Sequence, residues 1–387
     1  MSLRERIVEE IRERGPIPFS RYMEMCLYDP ELGFYSRNVE QFGKAGDFYT
    51  SSDVHAVFGR LLARQFEEMW RTLGSPEQIE ILELGPGRGL FARDVLDWSE
   101  KKFPEFFRAM HYSLSERSAA LRNRLRVRLE RHFAAGKTSI QQGTTSTMLE
   151  GSRFERALAR QVPLIIFANE FVDALPVEVL SPHGELRISE KDGGFIETWV
   201  PAAAENLEYL DRYSVHPEAG ERVETGCIAR DCMSQLAANL QRGFIIAIDY
   251  GYTRAEQLAG RHRSTITAYR QHSISAHPYE APGEQDITAH ANFTALAAAA
   301  EQQGMLVQPL LTQSQFLMGI GEANQFADAF EDCRLPQEHA KVALQLKHLV
   351  TPAGMGESFH VLLASKGVSA EMVAGLRGSA FGRQNKK

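Results

Sequence analysis

Apolar positions recur along the chain with two periods. Between Met1 and Arg14, Leu3, Ile7, Val8 and Ile11 lie about one helical turn apart among charges of both signs, which predicts an amphipathic helix. Gly15-Pro16-Ile17-Pro18 ends it, and a loop with many Gly, Tyr and Phe residues runs on to Gly46-Asp47-Phe48-Tyr49-Thr50-Ser51. Phe58, Leu61, Leu62, Phe66, Met69 and Leu73 then return to helical spacing and predict a helix from Val57 to Leu73. Past residue 78 short apolar runs alternate with helical stretches. Ile79 to Leu84, His111 to Glu116, Thr138 to Gln142, Val162 to Ala168 and Gly243 to Asp249 have strand length. Leu90 to Lys101 and the arginine-dense stretch after Glu116 read as helices. Strands interleaved with helices predict an α/β fold with a parallel sheet wound on both faces.

The rhythm breaks once. Val177 to Val200 alternates in polarity around Asp192-Gly193-Gly194, a hairpin pattern. Met305 to Leu311 and Phe359 to Ala364 predict two closing strands, with a helical stretch near 313–350 between them. The chain thus divides into a helical and loop cap (1–78), a core (79–176 and 226–366), a β-rich insertion (177–225) and a tail (367–387), disordered from Gly375 onward.

Composition narrows the classes. The net charge of -7, from 43 basic and 50 acidic residues, argues against nucleic acid as partner, because phosphate binding needs a basic surface. The arginines between Arg117 and Arg131 read as a solvated helix face. No run approaches the ~20 apolar residues of a membrane span, so membrane insertion is not expected. Cys26, Cys227, Cys232 and Cys333 form no CxxC pair, which supports neither zinc nor a disulfide framework. They read as reduced thiols, and the acidic, amphipathic N-terminus differs from a signal or transit peptide. The expectation is a cytoplasmic protein.

The candidate chemistry starts at Glu83-Leu84-Gly85-Pro86-Gly87-Arg88-Gly89, between a predicted strand and a predicted helix. Glycines there let backbone approach a ligand, and the helix start offers unpaired N–H groups. A dinucleotide fingerprint wants Gly-x-Gly-x-x-Gly/Ala, whereas the last position here is Leu90. Glu116, at the end of the second strand, can accept hydrogen bonds from both ribose hydroxyls. Strand, glycine loop, helix and Glu116 together point to a nucleoside ligand. With S-adenosyl-L-methionine as that ligand, Glu83 at the mouth of the loop can attract the methionyl ammonium. No metal is expected, since His262, His272, His277 and His290 are irregularly spaced.

In open α/β sheets ligands bind beyond the carboxyl ends of the strands. Asn169-Glu170-Phe171-Val172-Asp173-Ala174-Leu175-Pro176 follows the fourth apolar run, placing Asn169, Glu170 and Asp173 at an acceptor site. Asn169 or Asp173 could equally cap a helix there; for Glu170 capping is the less natural reading. If the acceptor is a guanidinium, two carboxylates could orient its planar fork of donors. Asp249-Tyr250-Gly251-Tyr252 ends the fifth strand on the same edge, as part of the site or as packed tyrosines.

These stretches together resemble the MidA-like family, which includes the mitochondrial complex I assembly methyltransferase and bacterial relatives. The resemblance runs from about residue 15 to 365. It is carried also by Leu27-Tyr28-Asp29-Pro30 with Gly33-Phe34-Tyr35, by Phe42 to Ser51, by Ala268-Tyr269-Arg270 and by Pro282 to His290. It implies a class I, Rossmann-like fold with a seven-stranded sheet whose last strand is antiparallel. It implies S-adenosyl-L-methionine held by Gly85, Gly87, Gly89 and Glu116, with Asp47 and Thr50 close by; Glu83 and Pro86 join the cofactor set as members of the same loop. It also places the candidate catalytic residues Asn169, Glu170 and Asp173, with Asp249, near the site, and implies symmetric dimethylation of arginine in a protein such as a respiratory complex subunit. The chain departs from the family pattern at Asn292, where relatives carry aspartate, and at Arg117, which follows Glu116 where proline or valine is common. Rival readings are a small-molecule methyltransferase, a non-catalytic assembly factor that keeps the cofactor pocket, and a dinucleotide oxidoreductase. A homodimer is left open.

Overall fold

The computed structural model describes residues 1–37, 56–141, 161–270, 273–275, 277–322, 324–371 and 373–377. The central sheet contains β1 (Ile79–Leu84), β2 (Met110–Ser115), β3 (Thr138–Gln141), β4 (Leu164–Asn169), β5 (Gly243–Tyr252), β6 and β7 (Phe359–Lys366) in the spatial order β3-β2-β1-β4-β5-β7-β6. β6 is one edge in two pieces, Leu306–Val307 and Leu311–Thr312, both paired with β7. The expected single strand breaks because Pro309 has no N–H to give to the ladder. β1 to β5 run parallel, and β7 is antiparallel to β5 from Gly243↔Lys366 to Tyr250↔Phe359. Order reverses between β1 and β4, and the crevice outside that point is where an open α/β sheet takes its ligand.

β4 shows why the sheet is covered on both sides. Ile165 and Phe167 join one apolar cluster, whereas Leu164, Ile166 and Ala168 join the other, the two-residue alternation of a strand buried on both faces. The first cluster is packed by the helices Val57–Thr72 and Leu90–Lys102, where Phe91 stacks on Phe167 with ring centroids 4.5 Å apart. The second is packed by the helices Cys227–Asn239 and Phe293–Gln302. Asn292 starts the latter by accepting a hydrogen bond from the Ala295 N–H at 3.1 Å, so the amide does what a capping aspartate would do.

A second, smaller sheet joins the N-terminus to the segment after β4. Ile17–Pro18 pairs antiparallel with Gly184–Lys191, which forms a hairpin with Gly194–Val200. The turn holds Asp192 and Gly193 at φ 52° and 78°, the left-handed pair of a tight hairpin. Helices Leu3–Arg14 and Phe19–Tyr28 pack on this sheet through Ile7, Phe19, Val179 and Ile188. The insertion also contains a helix, Ala204–Tyr213.

One expectation is corrected at the C-terminus. Gly375 belongs to a short helix, Ala374–Arg377, and is buried. Its N–H donates to Gln65 Oε1 at 2.8 Å and a Cβ there would meet Phe316 at 2.2 Å. Residues 374–377 are therefore a packed helix, because the helix faces of Val57–Thr72 and Gln313–Glu322 need that cover. Phe167→Ala empties the stack between the sheet and both first-face helices. It should destabilise the protein by about 3–5 kcal/mol in chemical denaturation; a change under about 1 kcal/mol would show that the stack is not holding that face.

Candidate active site

A cavity of about 350 Å³ opens beyond the carboxyl ends of β1, β2 and β4, within the range for a small-molecule site. β1 runs into Gly85, whose N–H donates to Ser115 O at 3.0 Å and so ties the glycine loop to β2. Gly87 takes φ 50° and a Cβ there would stand in open space; left-handed backbone at this point is cheap only for glycine. Gly89 begins the helix at φ 73°, and a Cβ would approach Leu125 at 2.5 Å. Gly85, Pro86 and Gly87 line the cavity, whereas Gly89 packs the helix behind it. Asp47 and Thr50 lie outside the described residues.

Two acidic walls face each other. The Glu83 carboxylate is buried and accepts the Tyr112 hydroxyl at 3.0 Å. Burial pushes its carboxyl up to about 8; the Tyr112 bond opposes that and the charge of Glu116 adds to it. Glu116 accepts the Ser118 N–H at 2.8 Å, and burial pushes it up to about 7. Arg122 secures this corner by donating to the carbonyls of Glu116 and Arg117 at 3.0 and 2.6 Å. On the third side, Asn169 Nδ2 donates to Glu170 at 2.9 Å, while Asn169 Oδ1 is buried with no hydrogen-bond partner. Two desolvated carboxylates and an orphaned amide acceptor ask for donors and a positive charge. The ammonium and ribose hydroxyls of S-adenosylmethionine provide both, so the residues fit that cofactor.

Beyond β4 no helix begins, so neither Asn169 nor Asp173 is a helix cap. The loop is instead folded back by Asp249. This side chain is wholly buried, and its Oδ2 accepts the N–H groups of Phe171, Val172 and Asp173 at 3.2, 2.8 and 3.2 Å. Glu170 is thereby held at φ 51° on the cavity wall. Asp173 does not line the cofactor cavity: it turns the other way and accepts the Tyr250 hydroxyl. Burial pushes Asp173 up to about 6 and Asp249 well above the usual carboxylate range, where the charges of Asp173 and Glu170 add to it. Tyr252 is core, stacked on His262. His262 faces His290, with Nδ1 atoms 3.3 Å apart, and among the described residues no His, Cys, Asp and Glu cluster is built to hold a metal.

Among the lining residues that escaped the sequence reading, four shape the cavity wall. Tyr28 and Tyr35 close the cavity from the cap, Arg117 lies over the Tyr28 ring at 4.8 Å, and Phe171 abuts Gly85. The aromatic stretch 27–35 was visible, but nothing local ties it to a glycine loop that begins only at Glu83.

Fold and cavity define a methyltransferase that uses S-adenosyl-L-methionine. Residues 61–310 match the model of a family of S-adenosyl-L-methionine-dependent methyltransferases, and the chain belongs to that family. It superposes with a TM-score of 0.81 on the crystal structure of a COG1565 superfamily member from Burkholderia thailandensis bound to S-adenosyl-homocysteine, at 28% identity, covering 97% of this chain and 95% of that one. The Drosophila melanogaster protein arginine methyltransferase NDUFAF7 homolog, mitochondrial, is 28% identical across 95% of this chain and 86% of its own length. Human protein arginine methyltransferase NDUFAF7, mitochondrial, is 25% identical across 92% and 81%. The fold is that of a class I methyltransferase, with seven strand positions in the main sheet and the last strand in sequence antiparallel. No helix among the described residues is long and apolar enough to cross a membrane.

Two outcomes test the cavity. Gly87→Val places a branched side chain in the cradle at a left-handed φ and should abolish calorimetric binding of S-adenosylhomocysteine while thermal unfolding stays cooperative; retained binding would move the site elsewhere. The pH dependence follows from sign. Glu83 and Glu116 hold protons more tightly folded than at their ordinary 4.5. Their contribution to stability is therefore present at low pH and lost as pH rises through about 7 to 8. An ammonium and ribose hydroxyls favour the ionised forms instead. Cofactor binding at neutral pH should release protons, seen as a calorimetric enthalpy that varies with the buffer's ionisation enthalpy. Glu83→Gln should reduce that release; an identical release would clear Glu83.

Proposed function

We propose that this enzyme methylates the guanidinium of arginine in a protein acceptor. The observation that carries the reading is Glu170: a carboxylate on the cofactor-cavity wall, at the end of β4, in a left-handed backbone conformation. Backbone strain of this kind is kept where the surroundings over-determine it, commonly at active sites. Relatives named protein arginine methyltransferase span most of the chain and support the same acceptor.

When bound, S-adenosylmethionine supplies a sulfonium methyl that needs no acid to activate it. The chain's task is positioning. Glu170, braced by the Asn169 amide, can accept N–H bonds from one edge of the guanidinium and bias its charge toward one nitrogen. A nitrogen that gains a methyl gives up a proton, and Glu170 is the wall carboxylate that can receive it. Tyr28, Tyr35 and Phe171 line the same cavity with apolar ring surface. The family resemblance extends the proposal to symmetric dimethylation of a respiratory complex subunit. It also includes a cytoplasmic location, supported by four unpaired cysteines and tested by fractionating the native host.

The direct test is transfer of radiolabelled methyl to an array of peptides that each contain one arginine, with fragmentation of the product to distinguish symmetric from asymmetric dimethylarginine. Glu170→Gln should lower turnover by about a hundredfold or more with S-adenosylhomocysteine affinity intact. Unchanged turnover would remove Glu170 from the chemistry, and labelling of lysine alone would replace the acceptor.

A further inference from the structure

The cap side of the cofactor cavity already holds a guanidinium, and it is the chain's own. Glu24 and Tyr28, from the helix Phe19–Tyr28, line this cavity together with Arg117 and with Glu170. The Arg117 guanidinium lies over the Tyr28 ring, 4.8 Å from its centroid, and donates to Glu24 Oε1 at 3.2 Å. A ring face and a carboxylate at its edge are the two partners that a planar cation takes, one through the quadrupole of the ring and one through charge-assisted hydrogen bonds. Arg117 therefore shows that this corner of the cavity can hold an arginine side chain.

The two arginines on Glu24 are held unequally. Arg21 gives two hydrogen bonds to the carboxylate of Glu10, at 2.9 and 3.0 Å, and a third to Glu24 Oε2 at 2.8 Å. It is a fixed part of the wall. Among the described residues the Arg117 guanidinium makes one hydrogen bond, the 3.2 Å contact with Glu24. The side chains of that pair are 36% and 34% exposed, and ion pairs this open to water contribute little. Another guanidinium in the place of Arg117 leaves Glu24 and Tyr28 with the same kind of partner, while Arg117 turns to water. The exchange is cheap for that reason. Tyr28 itself stays put, because its hydroxyl donates to Ala174 O at 2.9 Å, on the same loop as Glu170. Its ring also leans on Tyr35, with centroids 5.5 Å apart, and Tyr35 O accepts the Ser118 hydroxyl at 2.7 Å. The ring thus reaches from the Glu116 corner to the loop after β4 and remains as a platform when the arginine on it leaves.

We propose that Glu24 and the Tyr28 ring form the subsite that recognises the guanidinium of the acceptor, and that Arg117 is a stand-in that occupies it until an acceptor arrives. This subsite rests on the arginine reading of the function and adds to it the residues that select a planar cation. An acceptor arginine that displaces Arg117 enters the cavity whose wall carries Glu170. Glu24 and Tyr28 choose the cation, and Glu170 meets the nitrogen that reacts.

The test uses the full chain saturated with S-adenosylhomocysteine and two short fluorescent glycine-serine peptides, one with a central arginine and one with a central citrulline, followed by anisotropy. The arginine probe should bind at least about tenfold tighter than the isosteric neutral one, and Glu24→Gln should erase most of that preference. Arg117→Val should tighten the arginine probe about two- to fivefold and should give no gain in the Glu24→Gln background, since the two residues share one interaction. Glu208→Gln, on the exposed face of the helix Ala204–Tyr213, should behave as wild type. In turnover, Arg117→Val should lower KM for the arginine peptide and leave KM for S-adenosylmethionine alone. On the wild-type protein, ethylguanidinium should displace the arginine probe at a concentration where ethylammonium does not. Equal binding of the two probes, no binding of the arginine probe, or displacement by both small cations alike would overturn the subsite. So would an Arg117→Val protein that binds the arginine probe no tighter than wild type, the result expected if Arg117 only latches the cap to the core. Methyl transfer to arginine with Glu24→Gln indistinguishable from wild type removes the subsite and keeps the function. Glu24-dependent arginine binding without methyl transfer to any arginine peptide removes the function and keeps the guanidinium subsite.

Discussion

The site depends on one buried carboxylate. Asp249 sits at the end of β5 and gathers three consecutive backbone N–H groups from the loop after β4, while its other oxygen accepts the Tyr250 N–H at 3.0 Å. The Val172 and Asp173 N–H groups favour its ionised form, against the burial and the charges of Asp173 and Glu170 that raise it. These hydrogen bonds bind the ends of two neighbouring parallel strands into one rigid edge. Glu170 is forced into left-handed backbone toward the cofactor cavity, and Asp173 is turned toward Tyr250. Without that anchor the loop would have no reason to send Glu170 to the cavity wall and Asp173 into the interior.

The electrostatics of the edge are those of a site awaiting positive charge. Glu83, Glu116, Asp173 and Asp249 are all buried, and burial raises each of them. A fold selected only for stability would pair such groups or replace them with apolar ones. The chain does pair acids elsewhere, as where Arg64 meets the buried Asp328. The contrast places Glu83 and Glu116, without an ion pair among the described residues, on the side of function, around a sulfonium cofactor with its ammonium.

Much of this was legible in the sequence. β1, β2, β3 and β4 fall within two residues of their expected bounds, and β5 starts where expected and runs three residues further, because strands buried on both faces read as short continuous apolar runs. The glycine loop and Glu116 were legible because their geometry is local: a strand end, left-handed turns and a helix start. Asp249 was noticed for its position, yet its task as an anchor was invisible, since its three donors come from a segment more than seventy residues earlier. The break in β6 was missed by counting apolar residues across Pro309. The order of residues 374–377 was missed because composition suggested a tail, while packing against Gln65 and Phe316 decided otherwise.

The sequence alone therefore determined the elements, the α/β class and the nucleoside-binding loop, since each follows from periodicity and backbone preference within about twenty residues. Only the tertiary structure decided which carboxylate faces the cofactor. Glu170 and Asp173 are three positions apart and chemically alike, and no local preference separates them. Their separation comes from the N–H bonds to Asp249 across the strand pair and from the Tyr250 hydroxyl beyond it. Such contacts exist only once β4 and β5 lie side by side.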